Sequence, residues 1–250
     1  GDPAFVNISL DDLLSADNAK KLLTYIQPNR ATSSQTLKES TYFKEGKETT
    51  HIAILDQEGN RVSATMTVNF IFGSGVVAEG TGILLNDEMD DFAVKPGVRN
   101  VFGLLGSRLN QIEPGKRPLS SMTPLFLEMP QRVAIAGTPG GSRIPTMMLL
   151  ASLSFYDYGG AISMVSAMRF HHQYVPDWVQ FEPETFAPEL IQELKMMGYQ
   201  LMALKQYYGD MQAITWDKKT QVITAASDPR HIGLAVVVKP KQREGYGFSH

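Results

Sequence analysis

Cysteine is missing altogether from the 250 residues of this chain. That one absence removes disulfides, thiolate catalysis and cysteine metal sites together, while leaving the redox compartment open. No apolar run reaches the roughly 18 to 20 residues that span a bilayer. Nor is there an excess of positive charge: 23 basic against 26 acidic residues give a net charge of −3. No field is present to draw nucleic acid or an anionic membrane as the main partner, and a small ligand is expected. The opening Gly1-Asp2-Pro3-Ala4-Phe5 has neither the basic nor the apolar region of a signal peptide, which predicts a chain that starts after any targeting segment. The glycines at 73, 75, 80 and 82 do not fall at dinucleotide or phosphate-loop spacing, so no nucleotide cofactor is expected. His171-His172 has no second pair at ligand spacing, and adjacent side chains on a strand face opposite ways, so a structural role is expected rather than a metal site.

What is present is an ordinary globular composition, 43% hydrophobic, enough for a substantial core. Leu13, Leu14, Ala19, Leu22, Leu23 and Ile26 fall at helical spacing and predict a helix over 11–26, stopped by Pro28. Residues 31–48, rich in Thr, Ser, Glu and Lys, read as an exposed linker that is easy to cut. Strands are expected over 51–56 and 61–68, joined through Glu58-Gly59-Asn60 into a hairpin with Thr49 at its open end. Further on come a loop over 96–116, a short buried strand over 133–136, helices over 144–155, 161–168 and 188–197, and strands over 200–204, 211–216 and 222–226. Mixed elements without regular βαβ repeats predict an α+β protein of layered sheets flanked by helices.

Glu48-Thr49-Thr50-His51-Ile52-Ala53-Ile54-Leu55-Asp56 taken alone is an ordinary polar opening to a strand. It also holds a candidate nucleophile. A threonine hydroxyl becomes competent when a base lies beside it, and cleavage between Glu48 and Thr49 would supply one, the threonine's own α-amine. The acidic run Asn86-Asp87-Glu88-Met89-Asp90-Asp91 reads either as a solvated turn or as a carboxylate cluster for an ammonium group. Ser120 and Ser121, between the stiffening Pro118 and Pro124, are hydroxyl donors suited to a carboxylate. Pro139-Gly140-Gly141-Ser142-Arg143 is first of all a turn signature, yet it presents successive backbone amides ahead of a helix N-terminus, a geometry suited to an oxyanion.

In this order the segments resemble the γ-glutamyltransferases, also called γ-glutamyltranspeptidases, a family of N-terminal-nucleophile hydrolases. The words that carry the resemblance are Thr49-Thr50-His51, Thr67-Val68-Asn69, Phe72-Gly73-Ser74-Gly75 and Gly80-Thr81-Gly82-Ile83-Leu84-Leu85-Asn86. They continue with Met89-Asp90-Asp91-Phe92, Lys95-Pro96-Gly97, Gly115-Lys116-Arg117-Pro118-Leu119-Ser120-Ser121-Met122, Pro139-Gly140-Gly141-Ser142-Arg143, Arg169-Phe170-His171-His172-Gln173 and Ser227-Asp228-Pro229-Arg230.

The resemblance implies an αββα four-layer sandwich, made by a proenzyme that cuts itself before the threonine into large and small subunits. Residues 1–48 would be the tail of the large subunit with its linker, and residues 49–250 the small, catalytic subunit. Members carry several hundred residues ahead of that tail, among them an arginine that clamps the donor's α-carboxylate, and the sequence given holds none of these. The implied roles are Thr49 as nucleophile, Glu48/Thr49 as the cleavage site, and Thr67 as the group that orients the nucleophile. Asn69, Glu88 and Asp91 would hold the donor's α-amino end, Ser120 and Ser121 its α-carboxylate, and the Gly140 and Gly141 amides the oxyanion. Residues 96–107 resemble the family's lid, with Phe102 where many members place a tyrosine, so the apolar cover stays and one hydrogen bond is lost. No cofactor or metal is implied. The implied partners are a γ-glutamyl donor such as glutathione, water or an amino-acid or dipeptide acceptor, and the large subunit, in a periplasmic or secreted setting. Two alternatives stand beside this: a related acylase of the same superfamily, acting on β-lactam side chains or poly-γ-glutamate, and an inactive uncleaved fragment or structural subunit.

Overall fold

The computed structural model describes residues 1–32, 34, 49–95, 97–98, 100, 106–174 and 176–238; most of the expected linker, including Glu48, and the expected lid residue Phe102 lie outside these. The single helix expected over 11–26 is instead two, α1 (Leu10–Leu14) and α2 (Ala16–Leu23). Ser15 makes the break. Its backbone is extended and its hydroxyl accepts from the Asn18 N–H, so it caps the second helix instead of continuing the first. Neither helix buries a residue, so no packing force opposes the break.

β1 (Thr49–Leu55) and β2 (Arg61–Thr67) form the expected antiparallel hairpin, with Thr49 opposite Thr67 and Leu55 opposite Arg61. The turn is tied by Asp56, whose carboxylate accepts from both the backbone N–H and the side chain of Asn60. The hairpin is chemically inside out. Its inward face carries Thr49, His51, Ser63, Thr65 and Thr67, while Ile52, Ile54, Val62 and Met66 are 43–53% exposed on the other face. The inward face packs on a four-stranded antiparallel sheet in the order β3 (Leu125–Glu128), β4 (Arg132–Gly137), β8 (Gln212–Asp217), β9 (Val222–Ser227). Sequence periodicity did not predict β3, because four residues between Pro124 and Pro130 are too short to show an alternation.

On the far face of that sheet lie α3 (Ile144–Tyr156) and α4 (Ala161–Ser166). Ala134, Ala136 and Ala213 from the sheet meet Met147, Met148, Ala151, Phe155, Met164 and Val165 from the helices, all 2% exposed or less. Each large side chain buried there contributes about 1.5 to 3 kcal/mol. Alanines on the sheet let the bulky helix residues approach closely. Arg132 closes the C-terminal end of α3, donating to the carbonyls of Phe155 and Gly159 with its guanidinium over the Phe155 ring. The described layers are therefore hairpin, sheet and helices, an α+β arrangement. A smaller sheet, β5 (Phe170–His171), β6 (Val179–Phe181) and β7 (Leu201–Ala203), stands to one side, with α5 (Pro188–Met196) leading into β7.

Candidate active site

The register of the hairpin brings its two end threonines together, and the Thr49 hydroxyl donates to Thr67 Oγ1 at 2.9 Å. Thr67 Oγ1 also accepts the Asn69 N–H at 2.8 Å. That second contact is possible because Asn69 takes a left-handed backbone (φ 70°), which turns the chain sharply as it leaves β2. Asn69 is buried, and Asp87 receives the chain beyond it through the Phe70 N–H. In this way the end of β2 is stitched to the start of the acidic run.

Glu88 and Asp91 occupy one 3₁₀ turn (Glu88–Asp91). Their carboxyl groups hydrogen-bond each other, and burial, reinforced by that contact, raises the Asp91 pKa to about 7; Glu88 is also raised, first by burial. Two half-buried carboxyls at this range share a proton in the absence of a cation. Across from them the loop before β3 presents Ser120, exposed, and Ser121, half-buried. Gly140 and Gly141 follow β4 with φ of 141° and 54°, conformations that disfavour any side chain, and both amides are without a protein acceptor among the described residues. The 3₁₀ turn Gly141–Arg143 then runs directly into α3.

Thr49, Thr67, Asn69, Glu88, Asp91, Ser120, Ser121 and Gly141 line one small cleft of about 40 Å³. Of the described residues expected to serve the chemistry, only Gly140 is not on its wall. Gly140 lines a second, wider cleft of about 600 Å³ that also opens on Thr49 and is walled by Arg143, Lys205, Tyr207, Tyr208, Asp210 and His231. Glu48 and Phe102 lie outside the described residues. Beyond Thr49 and Gly140, sequence reasoning assigned no role to the residues of this second cleft; the run Lys205-Gln206-Tyr207-Tyr208 has no periodicity to mark it.

Two neutral histidines flank the site. His51 is buried two residues along β1, with Nδ1 2.9 Å from Thr65 Oγ1, and burial lowers its pKa to about 4. His171 bridges Thr146 Oγ1 and Gln173 Oε1, again with a pKa lowered to about 4 chiefly by burial. His172 faces elsewhere and contacts Asp177. Among the described residues no three His, Asp or Glu side chains gather as a metal site. A buried ion-pair network lies behind the wider cleft. Arg169 pairs with Asp228, and Arg230 pairs with Glu182 and Asp228, while the Tyr208 and Met211 amides donate into Glu182 and Asp228. The words containing Arg169, Asp228 and Arg230 were visible in the sequence, but their pairing, and the part taken by Glu182, were not.

Comparison with known proteins identifies the family. The family described as gamma-glutamyltranspeptidase matches residues 1–238. The chain is similar to a glutathione hydrolase proenzyme of Pseudomonas aeruginosa, 42% identical over 246 residues, covering 96% of this chain and 43% of the relative. A proenzyme of the same description from Escherichia coli is 40% identical over 235 residues, covering 93% of this chain and 40% of the relative. The chain thus spans less than half the length of these curated relatives. Among solved structures, a gamma-glutamyltranspeptidase from Pseudomonas nitroreducens complexed with L-DON superimposes with a TM-score of 0.69 at 46% identity, covering 76% of this chain and 100% of the other.

Proposed function

This chain belongs to the γ-glutamyltranspeptidase family, and from that premise we propose that it is the catalytic part of a γ-glutamyl hydrolase and transferase acting through a threonyl acyl-enzyme. Residues 1–48 are read as the tail of a large subunit and residues 49–250 as the small subunit. The full-length match of the solved relative's chain to 76% of this one supports that division. The observation that carries the reading is the single small cleft in which a hydroxyl nucleophile, a proton-sharing carboxyl pair, two serines and a glycine turn meet.

In the proposed reaction, cleavage between Glu48 and Thr49 frees the Thr49 amine. Its ordinary pKa, roughly 7.7 to 8, suits a base working near neutrality. The amine takes the hydroxyl proton as Thr49 Oγ1 attacks the γ-glutamyl carbonyl. Thr67 orients the hydroxyl, and the Gly140 and Gly141 amides receive the negative charge on the carbonyl oxygen, where one donor is worth on the order of a hundredfold in rate. The ammonium of Thr49 returns the proton to the departing amine, leaving a glutamyl ester on Thr49. Water, or the amine of an amino acid or dipeptide, then attacks that ester. Glu88, Asp91 and Asn69 hold the donor's α-amino end, and Ser120 and Ser121 its α-carboxylate, with the help of a large-subunit arginine. The chemistry uses no cofactor. The reading assigns the complete protein to the periplasm or the cell exterior; no helix among the described residues is long and apolar enough to cross a membrane.

The test is Thr49→Ala in the chain assembled with its large-subunit polypeptide. The unmodified protein should split between Glu48 and Thr49 and release aniline from a γ-glutamyl anilide. The variant should remain a single uncut species without turnover. Continued processing at Glu48/Thr49 in the variant would overturn the assignment.

A further inference from the structure

Recognition of an amino-acid head group needs two poles at a fixed separation, one for the ammonium and one for the carboxylate. In the proposed reading, on which this inference rests, the poles are the Glu88–Asp91 turn and the Ser120–Ser121 loop. The two segments are 29 residues apart in sequence and belong to no common sheet or helix, so something else has to set their spacing. Among the described residues, Asn110 is the one that bonds to both. Its side-chain amide donates to the Asp91 carbonyl at 2.7 Å, and its side-chain oxygen accepts the Leu119 N–H at 2.9 Å. Its own carbonyl takes the Ala93 N–H at 2.8 Å, and its N–H donates to the Ser107 carbonyl. Asn110 is buried, so both side-chain contacts are shielded from competing water. The two partners demand a donor on one side and an acceptor on the other, which among side chains of this size only an amide supplies without titrating.

The serine loop has a second tether on its far side. Asp2, its side chain fully buried, takes two bonds from the Arg117 guanidinium at 2.9 Å each and a third from the Arg117 N–H at 3.0 Å. It also accepts the Ala4 N–H, so the first residues of the chain are wrapped on the loop three residues ahead of Ser120. The loop is therefore held between Asn110 and Asp2, and only the Asn110 tether reaches the ammonium pole.

We infer that Asn110, backed by the Asp2–Arg117 clamp, is a positioning residue that fixes the distance between the ammonium-binding and carboxylate-binding ends of the donor site. Such a residue contributes only when both ends of the ligand are engaged together. A group that merely supports the fold would affect every ligand alike. The assembled protein should be titrated calorimetrically with L-glutamate, with glutarate, which lacks the amine, and with 4-aminobutanoate, which lacks the α-carboxylate. Asn110→Ala should weaken L-glutamate on the order of tenfold to a hundredfold, as small misplacements do, and change the two one-ended ligands far less. Equal weakening of all three, or unchanged L-glutamate binding, would overturn the inference. Asp2→Asn, remote from the cleft, keeps the shape and drops the charge on the clamp; it should likewise weaken L-glutamate more than either one-ended ligand. If Asn110→Ala does not melt cooperatively, this second variant decides, and a uniform or absent effect in it counts against the inference. If the unmodified protein does not prefer L-glutamate to the one-ended ligands, the failure belongs to the proposed function instead.

Discussion

Asp91, proposed to hold the donor's ammonium, is half-buried beside Glu88. Burial and Glu88 together hold its pKa at about 7, so in the empty site the pair keeps a proton until pH rises past neutrality. An incoming ammonium must displace that proton. Affinity for an amine-bearing donor should therefore rise by up to about tenfold per pH unit as pH increases toward 7, and level off above it. Asp91→Asn should abolish this inflection in a plot of donor KM against pH. A retained inflection near 7 in the variant would assign it to another group. The same shift acts on stability with the opposite sense. A carboxyl kept protonated by the fold favours the native state fully below the ordinary carboxylate range, and that contribution is lost as pH rises through about 7. His51 and His171 work the other way: each is held neutral down to about pH 4, so stability is lost as pH falls from about 6.5 through that range.

Among the elements, the β1–β2 hairpin decides the geometry of the proposed nucleophile, and its approach to the central sheet depends on one glycine. A Cβ on Gly137, in β4, would stand 2.2 Å from the His51 ring. Gly137→Ala should push the hairpin outward and cost about 1 to 3 kcal/mol, read as a lower denaturation midpoint, with slower cleavage at Glu48/Thr49. Unchanged stability would mean that the imidazole yields more easily than this packing suggests. The hairpin was legible in the sequence because turn residues stand between two apolar alternating runs; its register, which sets Thr49 opposite Thr67, came from the structure, the link between the two threonines having been implied only by the family resemblance. The helices α3, α4 and α5 were legible from apolar residues at helical length and spacing behind glycine or proline. The break at Ser15 was not, since a cap and an interior serine have the same letter and only packing separates them. Asn110 was illegible too. It falls in a stretch without periodicity, and its role arises from two backbone groups distant along the chain.

For the molecule as a whole, the buried network of Arg169, Glu182, Asp228 and Arg230 ties the end of α4, the β5–β6 sheet and the ends of β8 and β9 into one body. Removing one member strands the rest in a low-dielectric interior. Arg230→Ala should cost about 3 to 5 kcal/mol, measured by urea denaturation of the assembled protein, and a loss below about 1 kcal/mol would show that water enters to replace the guanidinium. The network also backs the wall of the wider cleft at Tyr208, so Thr49 looks onto a confined space at one side and a roomy one at the other. Under the proposed chemistry this arrangement dictates an order of traffic. The glutamyl portion stays docked in the narrow recess while the departing amine and the incoming nucleophile must use the same wide doorway in turn. The two half-reactions are thereby separated in time, and a lingering first product becomes an obstruction to the second reactant.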